Sequence, residues 1–299
     1  MAQPFFSIII PTYNREHFLY KTIKSFLDQT FTDFELLVVD DGGNDNSRQV
    51  TESFNDNRVR YYWKENGERG AARNYGAALA KGSYLNFFDS DDIAYANHLQ
   101  NGYKLLHDSG TEPALAFAGF EFADQQGNRI STVNNFKGDV VTDIINRNKR
   151  NLNSVFIKKE VFDEIKFEEN RLMAASEDTL LLCRLAARHE PVYKNTITSA
   201  MIEHDSRSMV TASEDQLLNR RKYLLEGLQH DPIFVSKFGA NLKIINGEMA
   251  YLLCLSCLSA GNNAKALNYF KESLRDSATS VLSRRMFVFL KKFLSNTFS

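Results

Sequence analysis

At 299 residues, 43% hydrophobic and 24% charged, the chain has the composition of an ordinary globular protein, with room for one large domain or a domain plus a smaller appendage. A net charge of -1 leaves no basic footprint. Nucleic-acid binding is therefore not expected, and an anionic substrate would have to be drawn locally, by a metal or a few arginines. Cys183, Cys254 and Cys257 lie in apolar helical patterns with no readable disulfide framework. Cys254 and Cys257 form a C-x-x-C among leucines, without a second ligand pair, as on a buried helix face. The N-terminus reads as a strand rather than a signal peptide, and no run approaches the roughly 20 apolar residues of a membrane span, so a cytoplasmic location is expected.

In chain order, Phe5 to Ile10 is an apolar, β-branched run of the kind buried on both faces of a parallel sheet. Pro11-Thr12-Tyr13-Asn14 is expected to end it, because proline cannot donate to a ladder. Leu19, Ile23, Phe26 and Leu27 recur at helical spacing. Phe34 to Val39 predicts a second strand, closed by Asp40-Asp41-Gly42-Gly43, then a helix over Asn46 to Phe54. Val59 to Trp63 predicts a third strand, Ala71 to Ala80 a small-residue helix, and Tyr84 to Phe88 a fourth strand. Strands alternating with helices at short spacing imply an open, mostly parallel α/β sheet with helices on both faces. Ligands bind such sheets beyond the carboxyl ends of the strands. Those ends carry Thr12 to Asn14, Asp40-Asp41, the 64–70 loop and Asp89-Ser90-Asp91-Asp92.

The last of these admits two readings. Ser90, Asp91 or Asp92 could cap a helix beginning at Ile93. Alternatively, the three carboxylates hold Mg²⁺ or Mn²⁺ against a phosphorylated ligand. No G-x-G-x-x-G follows the first strand and no P-loop is present, which favours a metal as the phosphate partner.

Beyond Asp92, a helix is expected over Ala94 to His107, a strand over Leu115 to Phe122, a turn at Gln125 to Asn128, and a mobile polar connection over 130–150. A short strand at Ser154 to Ile157 leads into a helix through Phe162, and Ser176-Glu177-Asp178-Thr179 opens another. Val192 to His204 is strand-like. Helical periodicity then covers Gln216 to Gly227, Leu242 to Ser259 and Lys265 to Leu274. Val281 to Phe298 is a basic amphipathic segment. It can lie on an anionic membrane surface or pack back with its lysines in water.

Four stretches, Ser7 to Arg15 (Ser-Ile-Ile-Ile-Pro-Thr-Tyr-Asn-Arg), Val38 to Gly42, Gly70 to Asn74 and Phe88 to Asp92, with Glu177-Asp178 opening a helix and His204 before a serine-containing loop, resemble the family 2 glycosyltransferases of the GT-A fold. The resemblance covers roughly residues 5–210 and implies a GT-A domain over 1–212; the helical periodicity beyond it gives a helical extension over 213–299. It implies inverting transfer of a sugar from a nucleotide-sugar, most often a UDP-sugar, with Mn²⁺ or Mg²⁺, to a hydroxyl acceptor on a glycan or lipid-linked glycan. On this resemblance Pro11, Thr12, Tyr13 and Asn14 line the base and ribose pocket, Asp41 reads the uracil, and Arg73 stands at the nucleotide edge. Asp89, Ser90 and Asp91 face the donor. Asp91, Asp92 and His204 are the metal-site candidates, with Asp91 and Asp92 left open as main ligand. Asp178 is the expected base and Glu177 an acceptor contact; Ser208 is a further phosphate contact. A peripheral position on the inner face of the cell membrane, through residues 281–298, and a homodimer are carried as open expectations.

Gly43-Asn44 departs from the serine and threonine usual after Asp-Asp-Gly, Ser176 stands in place of a glycine, and no further acid follows Asp178. Two rivals remain: a non-catalytic nucleotide-sugar-binding module, and a sugar-phosphate nucleotidyltransferase. The latter would want a glycine-rich basic loop where Pro11 to Arg15 stands.

Overall fold

A computed structural model describes residues 3–108, 110, 112–134, 140–145, 151–204, 212–281 and 284–298. The chain divides into two compact units, Met1–Asp205 and Ser206–Ser299.

The first unit opens with β1 (Phe6–Thr12), α1 (Glu16–Leu27), β2 (Phe34–Asp40), α2 (Ser47–Glu52), β3 (Val59–Trp63), α3 (Glu68–Leu79) and β4 (Tyr84–Phe87). It continues with β5 (Ile93–Ala94), α4 (His98–Asp108), β6 (Leu115–Ala123), β7 (Arg129–Val133) and α5 (Val140–Ile145). β8 (Val155–Lys158), α6 (Lys159–Glu164), α7 (Glu177–Arg188) and β9 (Val192–Ile202) complete it. The strands form one sheet in the order β3-β2-β1-β4-β8-β6-β9-β5, with β7 added on β6. β1 runs parallel to β2 and β4, β2 to β3, and β6 to β9, while β8 is antiparallel to both β4 and β6. Phe6, Ile8 and Ile10 are buried with Leu19, Ile23 and Phe26 of α1 in one core layer. A Cβ on Gly76 of α3 would lie 2.5 Å from Ile9 Cγ2, so glycine lets that helix sit close against β1.

Pro11 does not end β1, which pairs with β2 through Thr12↔Asp40. It ends the other ladder. Ile9 O accepts Phe88 N–H at 2.9 Å, and the next bond toward β4 would need an N–H on residue 11. β1 therefore continues on the β2 side alone and carries its polar end past β4 to the rim.

The expected helix from Ala94 is corrected. Ile93 and Ala94 pair with Ala200 and Ser199 of β9, Tyr95 N–H bonds Thr198 O at 2.9 Å, and α4 starts only at His98. Strand pairing across the sheet overrides local helical periodicity here. No helix begins at Ile93, so the capping reading of Ser90, Asp91 and Asp92 falls. Part of the expected 130–150 connection is β7 and α5; 135–139 and 146–150 lie outside the described residues.

The second unit is helical: α8 (Glu214–Gln229), α9 (Pro232–Phe238), α10 (Asn241–Ser259), α11 (Asn263–Val281) and α12 (Arg284–Phe298). The sequence reading passed over α9, although Asp231 caps it from a carboxylate that accepts Ile233 and Phe234 N–H, with Pro232 in its first turn. α10 is long and apolar enough to cross a membrane by length and composition, and half of that window is buried within the protein. Cys254 and Cys257 sit in this core with Tyr251, Phe270 and Phe289, and burial pushes the Cys254 thiol up to about 12. They are packing residues rather than a redox pair. On α12, Met286, Phe289 and Phe293 pack inward, with Phe289 stacked on Phe270 at 3.8 Å. Phe287, Leu290 and Leu294 form a second stripe that is 70%, 45% and 51% exposed.

Candidate active site

The carboxyl ends of β1, β2 and β4 gather three groups of side chains. The first surrounds Asp41. This carboxylate is 4% exposed and accepts hydrogen bonds from Lys64 Nζ at 2.8 Å, Gly67 N–H at 2.9 Å and Asn66 Nδ2 at 3.2 Å. Gly42 makes this approach workable: its φ is +84°, and a Cβ there would meet Asn66 N at 2.8 Å. Asp40 points elsewhere, accepting from Gly43 N–H at 2.8 Å and Tyr61 OH at 2.7 Å, and Tyr61 is held protonated by burial and by that carboxylate. Pro11 and Thr12 close β1 beside Asp41, whose N–H bonds Thr12 O at 2.9 Å. Tyr13 is half exposed, and Asn14 takes a left-handed φ of 51° with its Oδ1 on Asn44 N–H. Thr12 Oγ1 is buried with no partner among the described residues.

The second group is the tip of β4. One ligand oxygen from each of Asp89, Asp91 and Asp92 lies within 4.8 Å of the others. A set of hard oxygens of this kind fits Mg²⁺ or Mn²⁺. The three differ in how they are held. Asp92 is fully buried, with Oδ1 on Ile202 N–H at 2.8 Å and Oδ2 on Asn153 Nδ2 at 2.7 Å. Asp91 Oδ2 accepts from Arg15 Nη1 at 2.6 Å and faces His204 Nε2 at 3.0 Å. Asp89 Oδ1 accepts from Arg73 Nη2 at 3.0 Å, while its N–H bonds Asn153 Oδ1 at 2.9 Å. Ser90 is buried, and its carbonyl, like that of Asp92, accepts from Thr22 Oγ1.

The third group opens α7. Glu177 is 2% exposed; its Oε1 accepts from Arg73 Nη1 at 2.7 Å, and its Oε2 is buried without a partner among the described residues. Asp178 Oδ1 accepts its neighbour Thr179 N–H at 2.7 Å, one of the amides that the helix start leaves without an intrahelical partner. Ser176 makes no side-chain cap to this helix. A recess beside Glu177 is lined by Glu68, Gly70, Glu168, Asn170 and Ala174.

Arg73 joins the second group to the third. It is 3% exposed, lies over the Phe167 ring at 5.3 Å, and bridges Asp89 and Glu177. Burial works against its charge, but Asp89, Glu177 and Asp178 raise its pKa above the ordinary value. The sequence reading set it at the nucleotide edge; in the fold it is a buried strut between two sets of carboxylates. His204 stands beside Asp91 and is stacked on Phe18 at 4.5 Å. Ser208 lies outside the described residues. Sequence reasoning gave no role to Asn153, Lys64, Thr22 or Arg15. Nothing in the local sequence marks Asn153, whereas Arg15 already stood inside a quoted stretch.

Three comparisons bear on this arrangement. The family model described as "Glycosyl transferase family 2" matches residues 7–166, which is 160 of the 299 residues. An uncharacterized glycosyltransferase of Rickettsia conorii is 36% identical over 126 residues, 42% of this chain and 21% of that protein. The glycosyltransferase GlyG of Streptococcus pneumoniae is 31% identical over 182 residues, 55% of this chain and 60% of that protein. The chain thus spans about a fifth of the Rickettsia conorii relative and less than two thirds of GlyG. Among solved structures, S. aureus TarS 1-349 in complex with UDP-GlcNAc has a TM-score of 0.63 at 17% identity, covering 92% of each chain. The mannosyltransferase PcManGT of Pyrobaculum calidifontis, in complex with GDP-Man and Mn²⁺, has a TM-score of 0.56 at 14% identity, covering 99% of this chain and 87% of that one. At such identities the likeness speaks to fold, and the mixed sheet described above is a GT-A sheet. With a family model spanning more than half of its length, the chain belongs to glycosyl transferase family 2.

Proposed function

We propose that the chain is an inverting, metal-dependent glycosyltransferase that moves a sugar from a UDP-sugar to a hydroxyl of a glycan or lipid-linked glycan. The observation that carries this reading is the Arg73 bridge. One guanidinium holds Asp89 of the β4 tip and Glu177 beside Asp178, so the donor-side and acceptor-side carboxylates belong to one site. Asp91 and Asp89 are the carboxylates best placed to hold Mn²⁺ or Mg²⁺, with His204 beside them; Asp92, spent on Asn153 and Ile202, fixes the loop that carries them. When bound there, a divalent ion would supply charge neutralisation for a departing nucleoside diphosphate.

The chain's own residues supply the rest. Asp41, framed by Lys64, Asn66 and Gly67, offers Oδ2 to a base N–H, and Thr12 Oγ1 is a waiting donor or acceptor in the same pocket. Direct displacement at the anomeric carbon needs one base to take the acceptor hydroxyl's proton, and Asp178 fills that role. A single carboxylate acting this way inverts the anomeric configuration, unlike the carboxylate pair of a retaining hydrolase. Glu177 Oε2, without a partner among the described residues and beside the recess, is the group offered to an acceptor hydroxyl. The GT-A domain, expected over 1–212, carries the chemistry. The helical extension carries an exposed apolar stripe on a terminal segment with four basic residues and no acid, which suits the inner face of an anionic membrane.

Nucleotide release from a panel of UDP- and GDP-sugars, with Mn²⁺ and with acceptor, tests the reading. Asp178→Asn is expected to cut transfer by about 10²–10⁴-fold while nucleotide affinity stays near wild type. Nucleotide binding without turnover of any donor would support the binding module instead.

A further inference from the structure

We infer that Arg15 is a built-in counter-ion for the cation site, one that holds Asp91 until a divalent cation takes that carboxylate and then turns to the donor's diphosphate. The inference rests on the reading of Asp91 as a metal ligand. Arg15 Nη1 donates to Asp91 Oδ2 at 2.6 Å, and His204 Nε2 lies 3.0 Å from the same oxygen. The Arg15 guanidinium lies 5.8 Å from the Phe18 ring centre, and Phe18 stacks on His204. Arg15, Phe18 and His204 thus form one wall against Asp91.

A cation bound to a carboxylate oxygen sits about 2.0–2.6 Å from it, which would place it within about 5 Å of a guanidinium already on that oxygen. Like charges at that spacing repel. Arginine cannot shed its proton at any ordinary pH, so it yields only by moving. The geometry allows this. Arg15 is the N-cap residue of α1, outside the helix proper, and its side chain is 21% exposed. Arg73, in contrast, has a 4% exposed side chain clamped between two carboxylates and stays where it is. Once displaced from Asp91, the planar Arg15 fork can take another anion, and a diphosphate at the same rim offers paired oxygens to it.

The consequence is a coupling of known sign. By competing for Asp91, Arg15 weakens cation binding to the nucleotide-free protein; by joining the diphosphate, it strengthens nucleotide binding once the cation is in place. Cation and nucleotide then raise each other's affinity reciprocally. The experiment measures Mn²⁺ binding by electron paramagnetic resonance, with and without UDP, and UDP binding by calorimetry, in wild type, Arg15→Ala and Arg15→Lys. Arg15→Ala is expected to bind Mn²⁺ about tenfold more tightly without nucleotide, and UDP about tenfold more weakly with Mn²⁺ present. Arg15→Lys, which keeps the charge and loses the fork, should show smaller shifts of the same sign. Unchanged or weaker Mn²⁺ binding by nucleotide-free Arg15→Ala would overturn the inference, as would unchanged UDP affinity. Failure of the transferase reading is seen separately, as absence of turnover by the wild type on every donor.

Discussion

Asp41 and Asp92 are both buried carboxylates on the same rim, and they are held in opposite ways. The Asp41 carboxylate accepts from one loop, Lys64, Asn66 and Gly67, no more than 26 residues along the chain. The Asp92 carboxylate accepts from residues 61 and 110 positions away, Asn153 just before β8 and Ile202 at the end of β9. The Asp41 cluster is therefore a local product of β2 and the loop that follows β3. The Asp92 cluster exists only once the second half of the sheet has closed beside β4. One half of the site should tolerate local damage, and the other should fail together with the fold.

The largest effect should come from Asn153. Its side chain clamps Asp92 through Nδ2 and the Asp89 N–H through Oδ1. Asn153→Ala leaves a buried carboxylate oxygen short of a donor. It is expected to lower stability by about 2–4 kcal/mol, read from the urea midpoint, and to lose Mn²⁺ binding at the same time. Loss of metal binding at full stability would break the link between closure of the sheet and the site.

Acid should strike the same side next. His98, buried among Phe26, Phe88 and Phe156 with Nε2 near Asn86 Oδ1, has its pKa pushed down by burial to about 3. Its ordinary value is 6.5, so between pH 6.5 and about 3 the unfolded chain takes up a proton that the folded one refuses. Stability is then lost as pH falls, by about 1.4 kcal/mol per unit once well below 6.5. Urea midpoints across pH 7 to 5 should show this slope in the wild type and a flatter one in His98→Gln; identical slopes would remove His98 from the account.

At the Asp41 cluster, Lys64→Ala removes one of three donors to the carboxylate. It is expected to cost about 1 kcal/mol in UDP binding, measured by calorimetry, with the urea midpoint nearly unchanged. A collapse in stability there would erase the contrast between the two carboxylates. The smallest change in stability should come from Leu290→Ser on the exposed stripe of α12, within about 0.5 kcal/mol. The same substitution should reduce sedimentation with vesicles containing phosphatidylglycerol, and unchanged sedimentation would argue against a lipid-facing role for the stripe.

The same contrast explains what the sequence disclosed. β1 and β2 are apolar, β-branched runs ending in polar residues, and such a pattern says both where a strand lies and which end carries the polar rim. Asp41, Asp89, Asp91 and Asp178 stood out as candidates because they gather at the ends of strands and a helix, although each of these positions also suits a turn or a cap. Asn153 was not, because one asparagine in a polar stretch looks like any turn residue until β8 sets it beside β4. Ile93 and Ala94 misled for the same reason, since their strand partner in β9 is more than a hundred residues away. Arg73 was visible as a functional arginine, while its burial between Asp89 and Glu177 depends on where α7 begins in space.

The central claim is that the β4 tip and the start of α7 act as one transfer site. Turnover by Asp178→Asn against its affinity for UDP in the presence of Mn²⁺ tests it most directly. Donor turnover in the wild type, a loss of about 10²-fold or more in the variant, and UDP affinity within about twofold of wild type are expected. Wild-type turnover retained by Asp178→Asn, or UDP binding lost along with turnover, would contradict it.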